Sequence, residues 1–273
     1  MRSRQAAGQT KRMVTYPGSP HFPGFGSSTT TCSGNRRLVI EAQPIDFTPA
    51  GKHIVNKPKP QPNRRERTRA SYDTLAAEYA VRIYGELSGK PFDREWLDDF
   101  AERAQPLGLV CDLGCGPGHI GRYLQEHGAR AVGLDLSFGN LQQARQLNPR
   151  LELVHGDMMA LPFQGESLGG IAAFYSIIHL DRSEVPAALR EMRRVLRSGG
   201  WVLLAFHLGN ETLHEEQLWG YAVDFDATLF TLPEVVQQLN EAGLVVEKAE
   251  ERDAYSPEVE YQSRRGYILA HRP

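Results

Sequence analysis

Chemistry in this chain gathers first in one run, Val110-Cys111-Asp112-Leu113-Gly114-Cys115-Gly116-Pro117-Gly118-His119. An apolar stretch leads into an acid, then three alternate glycines, then a helix start. Gly114, Gly116 and Gly118 allow a sharp turn and bring bare peptide N–H and C=O groups against a ligand without a Cβ in the way. About twenty residues further on, Asp135 sits near the end of a second apolar run, where a carboxylate can accept both ribose hydroxyls of an adenosine.

The glycines and Asp135 suit a nicotinamide dinucleotide or S-adenosylmethionine, and Gly116-Pro117-Gly118-His119-Ile120-Gly121 satisfies the dinucleotide spacing unaided. Two features favour the sulfonium. Asp112 puts a negative charge beside the loop, which suits an ammonium and a sulfonium and repels a diphosphate. A third apolar run ends in His155-Gly156-Asp157-Met158, where Asp157 can accept from an adenine amino group and the Met158 backbone can pair with the ring edge.

Methyl transfer from a sulfonium is an in-line displacement with a neutral leaving group, so alignment and desolvation supply much of the acceleration. A base is needed only where the acceptor must lose a proton. Phe174-Tyr175-Ser176-Ile177-Ile178-His179 follows a fourth apolar run, where open α/β sheets place ligands. This nominates Tyr175 against the cofactor, Ser176 and His179 against the acceptor, and His179 as general base. His207 ends the next run as a further acceptor-side candidate. Leu208 to Phe230 reads as a loop carrying Trp219, Tyr221, Phe225 and Phe230, with Trp219 over an apolar acceptor pocket. Cys115 reads as a small loop residue, not a nucleophile, and no metal site is expected.

In order, Asp112 to Gly118, Gly133-Leu134-Asp135-Leu136-Ser137 and His155 to Phe163 resemble the class I, Rossmann-like S-adenosylmethionine-dependent methyltransferases. The likeness is to their small-molecule branch of type 11/25, extends to Glu191 to Gly200, and covers Tyr72 to the C-terminus. It implies Asp112 and the backbone of Gly114, Cys115 and Gly116 at the methionine end of the cofactor. It implies Asp135 and Leu136 at ribose and adenine, Asp157 with Met158 at adenine, and an N-terminal aromatic, Tyr72 or Tyr79, over the whole. It also implies an antiparallel last strand, with Arg265 to His271 as candidate. Phe174 to Ile177 departs from the Asn/Asp-Pro-Pro-aromatic pattern of enzymes that methylate exocyclic amines of bases. The acceptor expected is a small molecule with an O, N or C nucleophile. The rivals are an NAD(P)-dependent reductase, for which no Tyr-x-x-x-Lys pair exists in the chain, and a noncatalytic S-adenosylmethionine-binding protein.

The elements that must hold these residues alternate. Strands are expected at Leu109 to Leu113, Ala131 to Leu136, Leu151 to His155, Gly170 to Tyr175 and Trp201 to His207, with closing strands near Leu244 and Tyr267. Helices are expected from His119, Phe138, Ser183 and Pro233. Such alternation predicts a three-layer, doubly wound, mainly parallel seven-stranded sheet covered on both faces. Two earlier helices, one with Tyr72, Leu75, Ala76, Tyr79 and Ile83 at helical spacing behind Ser71 as N-cap, the other from Asp93, form a helical cap.

The division expected is 1–70 as a disordered, basic, proline-rich tail, 71–106 as the cap and 107–273 as the catalytic domain. Residues 1–70 hold 8 of the 17 prolines and 13 Lys/Arg against 3 Asp/Glu, whereas the rest holds 18 against 30. The cluster Arg64, Arg65, Arg67 and Arg69 reads as a solvated linker, with a targeting or nucleic-acid patch as the other reading. The acidic body gives no electrostatic reason for a nucleic-acid substrate. Three cysteines without zinc spacing fit a reducing compartment, and no stretch approaches the roughly 20 apolar residues of a membrane span. A cytoplasmic monomer or homodimer is therefore expected, although the acid-free first 40 residues also resemble an organelle transit peptide.

Overall fold

Apolar runs and amphipathic stretches in this order build one twisted sheet between two helical layers. The computed structural model describes residues 62–273. Helices α1 (Arg64–Ile83) and α2 (Pro91–Ala104) come first. Strands β1 (Leu109–Leu113), β2 (Ala131–Asp135), β3 (Glu152–His155), β4 (Leu168–Phe174) and β5 (Leu196–His207) follow, all parallel. Helices α3 (His119–Glu126), α4 (Phe138–Leu147) and α5 (Val185–Val195) join them. A hairpin of β6 (Thr212–Leu218) and β7 (Tyr221–Thr228) stands apart, before α6 (Leu232–Glu241), β8 (Val245–Arg252) and β9 (Arg265–His271) close the chain.

The strand order is β3-β2-β1-β4-β5-β9-β8, and β9 runs antiparallel to both neighbours, as expected for Arg265 to His271. Central strands covered on both faces need apolar side chains on both. Val110, Leu113, Ile171, Ala172, Leu203 and Leu204 are fully buried accordingly. One face packs on Val185, Leu189 and Met192 of α5 and on Val235 and Leu239 of α6. The other packs on Trp96, Leu97 and Phe100 of α2 and on Ile120 and Leu124 of α3. The winding direction changes between β1 and β4, so their C-terminal ends part and leave a crevice.

Two expectations are corrected. The first helix begins at Arg64, not at Tyr72, because Asn63 and Glu66 form a capping box in which each side chain bonds the other's backbone N–H. Residues 64–70 therefore belong to the cap, and the part of the expected tail at 1–61 lies outside the described residues. Ser71 is no N-cap; its buried hydroxyl accepts from the Asp224 N–H at 2.8 Å. The stretch expected as a loop, Leu208 to Phe230, is mostly the β6–β7 hairpin. It packs on α1 through a small core of Leu75, Val223 and Phe225.

Candidate active site

The turn after β1 shows why glycine is required there. Gly114 has φ +75°, and a Cβ on it would lie 2.4 Å from the Ser176 Cβ. Gly116 has φ +52°, and its Cβ would meet the Tyr79 ring at 3.1 Å. The turn is thus a bare main-chain corner between the end of β4 and an aromatic from α1. It borders a cleft enclosing about 750 Å³ of empty space, open mouth included.

The structure gathers most of the expected residues around this cleft: Gly114, Gly116, Asp135, Leu136, Asp157 and Met158, together with Tyr72, Tyr79, Tyr175, Ser176 and His179. Asp135 accepts from the Gly116 N–H at 2.8 Å on one oxygen and from the Ser137 N–H at 2.7 Å on the other. Burial raises its pKa, against the pull of those hydrogen bonds. Each carboxylate oxygen keeps a further lone pair for a ligand hydroxyl. Asp157 accepts from the Met159 N–H at 2.9 Å and from Arg65 at 3.2 Å.

Three expected side chains, those of Asp112, His207 and Trp219, lie elsewhere, and Cys115, expected there through its backbone, turns its side chain away. Asp112 points behind the turn, where it accepts from the Gly121 N–H at 2.8 Å, and burial lifts its carboxyl to about 7. It fastens α3 to the sheet and does not face the cleft. The Cys115 side chain is likewise buried behind the turn against Gly133, and burial pushes its thiol well up. His207 is held by the Ser263 hydroxyl at 2.6 Å, its ring beside that of Tyr175, and burial lowers it to about 3. Trp219 is at the hairpin tip, packed near Tyr79 and under the Arg82 guanidinium.

His179 is half-buried in the cleft wall. Its Nδ1 lies 3.2 Å from the Asp226 carbonyl oxygen and its Nε2 lies 2.9 Å from the Tyr72 hydroxyl. The nitrogen a direct general base would use is thus engaged by Tyr72. Tyr175 has φ +52°, a left-handed conformation costly for a non-glycine residue and concentrated at functional sites. Its peptide N–H is tied to the Ala205 carbonyl at 2.8 Å and its hydroxyl meets that of Tyr267 at 3.0 Å.

Sequence reasoning missed Arg65, Thr68, Arg69 and Asn140, which also line the cleft. The signal for the first three was the Asn63-x-x-Glu66 capping box, which lengthens α1 over them. Thr68 Oγ1, Asn140 Oδ1 and Ser176 Oγ are buried without a hydrogen-bond partner among the described residues. Buried polar atoms are rarely left so, and all three residues line the cleft. Such a set, two adjacent acids, bare main chain and aromatic cover fits an adenosyl sulfonium with hydroxyls, an amino group and a cation.

Comparison with known proteins agrees. A family model described as a methyltransferase domain matches residues 110–200. The 2-phytyl-1,4-naphtoquinone methyltransferase of Thermosynechococcus vestitus is 36% identical over 163 residues, covering 56% of this chain and 68% of that protein. The chain belongs to the class I S-adenosylmethionine-dependent methyltransferases. The malonyl-[acyl-carrier protein] O-methyltransferase of Serratia marcescens is 31% identical over 142 residues, 51% of this chain. The chain spans about half of that relative's length, 49%. A solved complex of DhpI with SAH shares the methyltransferase fold, with TM-score 0.58 at 17% identity over 77% of this chain and 98% of that one. Membership assigns S-adenosylmethionine as cofactor, and the nicotinamide reductase alternative falls with it.

Proposed function

We propose that this chain transfers the methyl group of S-adenosylmethionine to a small-molecule acceptor bound in the cleft between β1 and β4. The observation that carries the reading is the convergence of the Gly114–Gly116 main chain, Asp135 and Asp157 on one cavity beside buried, unpartnered hydroxyls. The cofactor supplies an electrophilic methyl whose leaving group is a neutral thioether. The chain's own part is to bind, align and exclude water. Asp135 accepts the ribose hydroxyls, Leu136 and Met158 border the adenine, and Asp157 accepts its amino group. The main chain of Gly114 and Gly116 meets the methionine moiety, and Tyr72 and Tyr79 close over it. Ser176 and His179 stand on the acceptor side.

The relatives' names give malonyl-[acyl-carrier protein] and 2-phytyl-1,4-naphtoquinone as their acceptors, which supports a metabolite rather than a macromolecular nucleic acid here. Among the described residues no helix is long and apolar enough to cross a membrane. Cys111 and Cys115 are free thiols, which supports a reducing, cytoplasmic setting, with a monomer or homodimer as the working form.

Isothermal titration with S-adenosylmethionine, S-adenosylhomocysteine and NAD tests the cofactor assignment. The first two should bind and NAD should not. Asp135→Ala should weaken S-adenosylmethionine by about 1 to 3 kcal/mol through lost ribose hydrogen bonds. Unchanged affinity in that variant would show that the ribose lies elsewhere.

A further inference from the structure

We infer that the acceptor enters this cleft as a neutral hydroxyl compound, a phenol, enol or hydroquinone, selected by a Tyr72 oxygen that offers it only lone pairs. The inference rests on the methyl-transfer reading above and names the substrate class of the same site.

The argument follows one proton. The Asp226 backbone carbonyl can only accept, so the His179 nitrogen facing it at 3.2 Å, Nδ1, carries the hydrogen. In a neutral imidazole the other nitrogen is then bare. That bare Nε2 lies 2.9 Å from the Tyr72 oxygen, so the phenol must donate to it. Tyr72 has one proton, and His179 holds it. Toward anything in the cleft, which Tyr72 lines, its oxygen is an acceptor alone.

The groups around His179 keep the ring neutral. Arg64 and Tyr72 reach it from α1, Asp226 from β7, and His207 lies near it at the end of β5. Burial is the main cause of its lowered pKa, about 4, with the Arg64 cation adding to it against the pull of the Asp226 carbonyl. The same carbonyl and Arg64, which donates to the His179 backbone oxygen at 3.0 Å, fix the position of the ring.

An acceptor hydroxyl can donate to the Tyr72 oxygen, which aims its own lone pair away from Tyr72. A carboxylate brings only lone pairs, and meeting those of Tyr72 leaves both groups buried and unpaired. Ser176 supports the choice: its buried hydroxyl lies 3.2 Å from where a Cβ on Gly114 would stand, free to donate to the acceptor oxygen. Tyr72 is thus a specificity-determining residue, and His179 acts through it as a positioning residue.

The test uses the full chain saturated with S-adenosylhomocysteine, with histidine labelled by nitrogen-15. Long-range nitrogen–proton correlation at pH 7 should show His179 with Nδ1 protonated and Nε2 bare, and Tyr72→Phe should shift the Nε2 resonance. A protonated Nε2 at pH 7 would overturn the inference, because Tyr72 would then be free to donate. Independently, 1-naphthol and 1-naphthoate present a hydroxyl and a carboxylate on the same ring. Wild type should bind the naphthol at least about tenfold more tightly, a difference of about 1.4 kcal/mol, and Tyr72→Phe should erase that preference. Indistinguishable binding of the two by wild type, or a preference for the naphthoate, counts against it. Failure to bind S-adenosylhomocysteine would instead defeat the cofactor reading, and the histidine spectrum separates the two failures.

Discussion

A single methyl group placed on Gly114 would have to share space with the Ser176 Cβ, 2.4 Å away, in a backbone of φ +75°. Gly114→Ala should therefore lose at least about 2 kcal/mol of stability by chemical denaturation, from left-handed strain alone, along with most cofactor affinity. Adding Ser176→Gly should recover part of the stability, since it removes the clash but not the strain. The residues that matter at this scale were readable where spacing alone sets their place: Gly114, Gly116, Asp135 and Asp157 all fall at strand ends. Asp112 was misjudged because charge can be read from sequence but facing cannot. Asp112 shares the β1 face that lies under α3, where the Gly121 N–H claims its carboxylate. The Tyr72–His179 bond joins residues far apart in the chain, and no local pattern announces it.

Among the elements, α1 decides how the cleft is covered. Its first turn is fastened to the rim by Arg64 on Thr228 at 2.7 Å, Arg65 on Asp157 and Glu184, and Arg67 on Asp226. Three of the four arginines that composition assigned to a linker, Arg64, Arg65 and Arg67, are therefore structural. Their spacing became legible only with partners drawn from β7, the turn before α5 and the end of β3. Asn63→Ala removes one half of the capping box and should cost about 1 kcal/mol. Hydrogen exchange should show the loss as faster exchange over 64–72, with the central strands unchanged. The β6–β7 hairpin escaped sequence reading for a related reason. Its apolar side chains meet Leu75 of α1, so the segment lacks an apolar face that makes sense by itself. The parallel strands, by contrast, are apolar on both faces and were recognisable as a group.

The whole molecule carries opposing titrations. The half-buried neutral histidines His179 and His207, at about 4 and 3, hold fewer protons folded than unfolded below the ordinary value of 6.5, so stability falls as pH drops through that range. Asp112, raised to about 7, works the other way between 3.8 and 7, because the folded state binds its proton first. Below about 4 that compensation is spent. Glu86 and Glu260, both lowered to about 2 despite burial, by partners His119 and Lys90 for the first and Arg252 chiefly for the second, lose their contribution as pH falls from 4.5 toward 2. Thermal melts should accordingly show a shallow pH dependence from 7 to about 4 and a steep loss below it. A steep decline already complete at pH 5 would contradict this balance of signs.

The placement of Cys115 gives the fold a built-in clock. Its sulfur is sealed between the glycine turn and Gly133 on β2, only 1% exposed, so an alkylating reagent reaches it only when that turn lifts from the sheet. In a variant with Cys32 changed to serine and Cys111 to alanine, so that Cys115 is the one thiol left, its slow labelling would time the opening of the turn in unmodified solvent. Its slowing on addition of S-adenosylhomocysteine would report, without any acceptor present, how firmly an occupant clamps the main chain that holds it.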